Sequence, residues 1–219
     1  MILWGNILTT TRRICLMPYV LCLICGFAAN AQANTCVQHK RVPNVNLALP
    51  NWDKSIAQPP APMDLFHGKV IATFSEEYSL LIEADPTDGG YCVVLTGVDA
   101  SVGYTEFQVQ IDSRHRPESC AFNVILEHEE LHIAAHLSVI DDFAGDMKQS
   151  IAAAANSIMP IFVARGDGFD SALDTMQQRL HSHPEIVLMK QKIDAENTIR
   201  NKRIDMENDD RRVRECLRD

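Results

Sequence analysis

Between Lys69 and Asp112 the chain runs through four short blocks, "KVIATF", "YSLLIEA", "YCVVLTGV" and "TEFQVQI", separated by "DPTDGG" and "DASVGY". Their β-branched and aromatic content predicts strands, and the polar clusters between them predict turns. In the last block Phe107, Val109 and Ile111 alternate with polar neighbours, the period of a strand with one face buried. These blocks predict a small antiparallel sheet. Past "DSRHRP" the period changes. Phe122, Leu126, Ile133, Leu137, Ile140, Ala144, Met147 and Ile151 form a helical stripe reaching toward Pro160. Pro117 suits the first helical position, Glu118 suits the first turn, and Gly145 is a place for a bend. "RGDGFD" reads as a turn, with Asp170 as N-cap of a helix to about Leu180. Pro184 then opens a last helix to about Cys216, which completes a C-terminal helical hairpin. Ahead of the strands, residues 34–66 contain "LALPNWDKSIAQPPAPMDL", whose prolines and weak periodicity predict an extended surface arm or linker.

Residues 1–33 have the pattern of a signal peptide. Arg12 and Arg13 precede an apolar run from Ile14 to Ala28, and "ANAQAN" then offers small residues at cleavage spacing. The run is shorter than the ~20 residues a membrane-spanning helix needs, so a membrane association would come only through an uncleaved leader. Cysteine usage agrees with export. Of seven cysteines, Cys15, Cys22 and Cys25 leave with the leader, and Cys36, Cys92, Cys120 and Cys216 remain. An even set of separated cysteines in an exported chain predicts two disulfides, with three connectivities open. The expected location is periplasmic or secreted. The formal net charge of -9, without a dominant basic patch, argues against a nucleic-acid partner.

The chemistry is concentrated in "ILEHEELHIAAH", where His128, Glu129 and His132 spell H-E-x-x-H. Residues four apart on a helix share a face, so the two imidazoles can address one ion, with Glu129 beside the metal rather than bound to it. In such a site Zn2+ polarises a water, and the carboxylate takes its proton and delivers it to a leaving amine. Glu129 also falls within the apolar stripe. An unpaired carboxylate there costs several kcal/mol or has its pKa raised, which a general base next to a metal accounts for and a helix surface does not.

A tetrahedral site needs a third ligand. His136 continues the spacing but lies too far from His128 along an unbroken helix, so it is expected to support or pack rather than ligate. His39 lies in the arm, His67 and His115 in loops, and His181 and His183 in "LHSHP", and none is favoured as a ligand. If Cys120 pairs with Cys216, the motif helix and the last helix run antiparallel from that staple, and the metal looks toward residues 204–209. Asp205 is then the first choice for an oxygen ligand, with Asp209 and Glu207 behind it. Without that disulfide, "DMENDD" is better read as a solvated charged face.

The segment "SCAFNVILEHEELHIAAHLSVIDDF", with "YCVVLTGV" before it and a charged C-terminal helix ending in a cysteine after it, resembles a family of bacterial predicted secreted zinc-dependent proteases. The resemblance covers roughly residues 69–216 and implies zinc on His128 and His132 with Glu129 as base. Some members carry a downstream histidine-glycine pair, whereas this chain has no histidine after His183. The expectation is an α+β, zincin-like fold: a small antiparallel sheet packed on a long H-E-x-x-H helix and a C-terminal helical hairpin. Residues 67–219 would form the metallopeptidase domain, acting on a peptide or protein substrate. The alternative is a non-catalytic periplasmic binding or envelope-assembly protein on the same scaffold.

Overall fold

The structure, a computed structural model, describes residues 36–63, 67–206 and 209–216; the leader at 1–33 lies outside the described residues. The fold is α+β, with five strands in one sheet and four α-helices among the described residues. The strands are β1 (Asn44–Ala48), β2 (Asp53–Ala57), β3 (Gly68–Thr87), β4 (Gly90–Ile111) and β5 (Ile161–Ala164). The helices are α1 (Cys120–Ser157), α2 (Asp170–His181), α3 (Pro184–Asp205) and α4 (Asp209–Cys216).

The four expected strand blocks are two. β3 and β4, of 20 and 22 residues, form one long antiparallel hairpin around Asp88 and Gly89, and Gly89 supplies the positive φ of 86° that the tight turn requires. "DASVGY" is not a turn, because β4 runs straight through it. The hairpin absorbs its length through two register shifts, at Thr73/Phe74 and Leu81/Ile82, which add local twist. Gly103, in the middle of "DASVGY", admits the loop between β1 and β2: a Cβ there would stand 2.9 Å from Pro50 Cδ.

The sheet is mixed, which corrects the expected antiparallel one. β1 and β2 lie in tandem along the second edge of β4 and run parallel to it, pairing Asn44 with Gly97 and Asp53 with Glu106. β5 pairs antiparallel with the start of β4 along Gly90 to Val93. The direction of the arm follows from connectivity. β2 ends beside Gln110, and β3 begins at Gly68 opposite Ile111, so an arm running the other way would have to recross the whole sheet within residues 58–67. Residues 44–48 and 53–57 thus belong to the sheet although they read as an irregular arm.

β4 is the central strand, and Cys92, Val93, Val94, Val98, Val102, Phe107, Val109 and Ile111 are all at most 1% exposed. α1 packs across this sheet through Phe122, Ile125, Ile133, Ile140, Met147 and Ile151 and is unbroken over 38 residues, Gly145 included. It starts later than the proline signal suggests. Ser119 is the N-cap, its Oγ accepting the Phe122 amide at 3.2 Å, and Glu118 adopts a positive φ of 64° just before it. Asp170 is the first residue of α2, with Phe169 at the cap. The expected last helix is divided into α3 and α4. α3 lies antiparallel against α1.

Two disulfides close the frame, Cys36–Cys92 and Cys120–Cys216. The first ties the start of the arm to the start of β4. The second joins the first residue of α1 to the last residue of α4. No described helix is long and apolar enough to cross a membrane.

Non-reducing peptide mapping of the purified protein should therefore return these two pairs; a Cys92–Cys120 or Cys36–Cys120 peptide would contradict the frame. Phe107, fully buried and in edge contact with Trp52 at 5.5 Å, should cost about 3–5 kcal/mol when replaced by alanine, read as a lower urea midpoint at unchanged slope.

Candidate metal centre

α1 presents His128 and His132 on one face, one turn apart, and the antiparallel α3 brings Asp205 to the same place. His132 Nε2 stands 3.1 Å from His128 Nε2 and 3.2 Å from Asp205 Oδ1, and His128 Nε2 stands 3.8 Å from the same oxygen. These three residues form a group that can hold a metal ion, their donor atoms all within 4.8 Å of one another. The spacing can be tested against coordination geometry. Two bonds of 2.0–2.1 Å at a tetrahedral angle place their donor atoms about 3.4 Å apart. The observed separations bracket that value, so little rearrangement is needed to close on an ion. The two imidazoles are mostly buried, with 18% and 12% of their side chains exposed, while Asp205 is 63% exposed. The group therefore has one wall open to solvent.

Glu129 points from the same helix toward the sheet and is 4% exposed. Burial pushes its carboxyl up from the ordinary 4.5 to about 7; the nearby His128 opposes the shift and Asp205 adds to it. The start of β3 makes the close approach possible. A Cβ on Gly68 would fall 2.6 Å from Glu129 Oε1 and 2.6 Å from Ile125 Cγ2, so a larger residue there would have to displace both side chains.

The register between the helices differs in detail from a count along unbroken helices. Counting back from Cys216 puts His128 opposite residue 208, whereas it is Asp205 that reaches the histidines. The disulfide belongs to α4, and α3 ends before it, so the count does not carry across the junction. Glu207 and the side chain of Asp209 lie outside the described residues.

His136 sits one turn beyond, in a buried polar cluster of its own. Its Nδ1 is 3.0 Å from the Tyr104 hydroxyl and 3.1 Å from Asn197 Oδ1, and burial lowers its pKa. His67 and His115 form a pair with Nδ1 and Nε2 3.1 Å apart, next to Asp112, whose buried carboxylate accepts from Arg114 and the Met63 amide. His39 pairs with Asp85, His181 lies on the Tyr78 ring, and His183 caps α3. Sequence reasoning missed Asn201, whose Oδ1 lies 2.6 Å from His132 Nδ1. Its only signal in sequence is its place, one helical turn before Asp205.

The raised Glu129 pKa has a definite consequence for stability. In the metal-free protein the folded state holds the Glu129 proton between about pH 4.5 and about 7 while the unfolded state has released it, so stability falls as pH rises through that window. Wild type should lose about 3 kcal/mol relative to Glu129→Gln between those limits, read from urea unfolding at a series of pH values. Comparison of the chain with protein-family models, with curated proteins and with solved structures gives no match.

Proposed function

We propose that this chain is an exported zinc-dependent peptidase, with His128, His132 and Asp205 holding the metal and Glu129 acting as general base. The observation that carries the reading is the convergence of two imidazole nitrogens and a carboxylate oxygen at tetrahedral spacing, with a buried carboxylate from the same helix turn beside them. Nitrogen and oxygen donors in this number suit zinc, and leave a position for a reactant. Bound zinc supplies a Lewis acid that makes water nucleophilic near neutral pH. Glu129 accepts the proton of the attacking water as its oxygen bonds to the peptide carbonyl carbon. It then gives that proton to the amine nitrogen as the carbon–nitrogen bond breaks. Burial of the Glu129 carboxyl favours its holding the proton between the two tasks.

A peptide substrate is supported by the sheet. The outer edge of β3 pairs with no strand among the described residues, and that edge begins at Gly68, against Glu129. An extended peptide adding to it would be held by main-chain hydrogen bonds close to the base. The two disulfides fit an oxidising compartment, in keeping with a periplasmic or secreted location.

Metal analysis of the purified protein should find about one zinc per chain. His128→Ala and His132→Ala should each abolish it, and Asp205→Ala should weaken affinity about tenfold or more with helix content intact. Glu129→Gln should keep the metal and lose cleavage of a mixed peptide library. Unchanged zinc content in the double histidine variant would overturn the proposal.

A further inference from the structure

The contact between α1 and α3 is a ladder. Along α1 the histidines fall at 128, 132 and 136; along the antiparallel α3 the facing polar residues are Asp205, Asn201 and Asn197, again four apart. The rung at His132 fixes more than distance. Asn201 Nδ2 donates to the Asn197 carbonyl oxygen at 2.8 Å, and a carbonyl oxygen can only accept. The amide is therefore oriented, and its Oδ1 is the atom that faces His132 Nδ1 at 2.6 Å. An amide oxygen can only accept as well, so Nδ1 must carry a hydrogen. The uncharged His132 ring then presents its lone pair on Nε2, toward His128 Nε2 and Asp205 Oδ1.

The orienting group is itself held. Asn197 is 6% exposed, and its side chain is fixed between Tyr104, to whose hydroxyl Nδ2 donates at 2.9 Å, and His136. The chain of contacts thus runs from the sheet through Tyr104, Asn197 and Asn201 to the imidazole.

We propose that Asn201 is a positioning residue of the metal group, which holds His132 in the Nδ1–H tautomer so that Nε2 is ready to bind a metal before one arrives. The proposal rests on the reading of His128, His132 and Asp205 as metal ligands, but its test separates the two. Partners of this kind typically change metal affinity by about 10–100-fold.

The tautomer is read directly in the metal-free wild-type protein by long-range proton–nitrogen correlation of the His132 ring above its titration range. Nδ1–H is expected in the wild type, and a shift toward Nε2–H in Asn201→Leu. Zinc competition against a chromophoric chelator should show Asn201→Leu binding at least about tenfold more weakly than wild type. Asn201→Asp, which keeps an acceptor opposite Nδ1, should recover most of that loss, and circular dichroism should be the same for all three. An Nε2–H tautomer in the wild type overturns the proposal, as does equal zinc affinity in wild type and Asn201→Leu. A wild-type protein that binds no zinc yet shows the Nδ1–H tautomer overturns the metal reading alone and leaves the orientation of His132 supported.

Discussion

The register of α3 against α1 is the constraint on which the candidate site depends. Two of the candidate ligands are local, since a single helix turn places His128 and His132 together. Asp205 and Asn201 come from another helix and reach the same point only in one alignment. A slip of one residue would turn α3 by about 100° and carry both side chains off the shared face. Several contacts resist that slip. On α3 itself, Arg200 bonds Ser138 and Asp142, and Asn197 lies against His136 and Tyr104; beyond the junction, Cys120–Cys216 and the Arg212–Glu127 pair hold α4 to the start of α1. The exposed ion pairs contribute little energy individually. Together with the buried contacts of Asn197, they specify the position of α3 on α1.

The second constraint is the close approach of β3 to Glu129. A buried carboxylate opposes folding, and the protein tolerates it because the surrounding core is extensive: β4 is buried along most of its length, and α1 covers it with a continuous apolar face. Gly68 eases that approach, and among the described residues no further strand pairs with β3 beside the site. The same backbone contact therefore helps to bury the Glu129 carboxyl and raise its pKa. A local destabilisation offset by packing elsewhere is a common physical form of a functional site, and Glu129 has that form.

The helices were legible in the sequence because their signals are local. A stripe of apolar residues at helical spacing, followed by Pro184 and a charged end, needs nothing beyond its own turn to be read, and H-E-x-x-H carries its geometry within five residues. Asp205 could be reached because a covalent link supplied one long-range relation from which to count. The count missed the junction between α3 and α4, and it came within a turn of the residue that faces His128.

What only the tertiary structure decided is pairing across distance. β1 and β2, five residues each and separated by Pro50, carry too little periodicity to be read as strands, and their parallel direction follows from where β3 must begin. β5 is four residues long and exists through its contact with the start of β4. Asn201 has no signature of its own, since an asparagine on a helix surface has the same sequence signal whether it faces water or an imidazole. Composition and periodicity thus determined the helices, the long β3–β4 segments and the two histidines with Glu129. Which of them meet is set by long-range packing, because the free energy that selects a register resides in contacts between segments rather than within them.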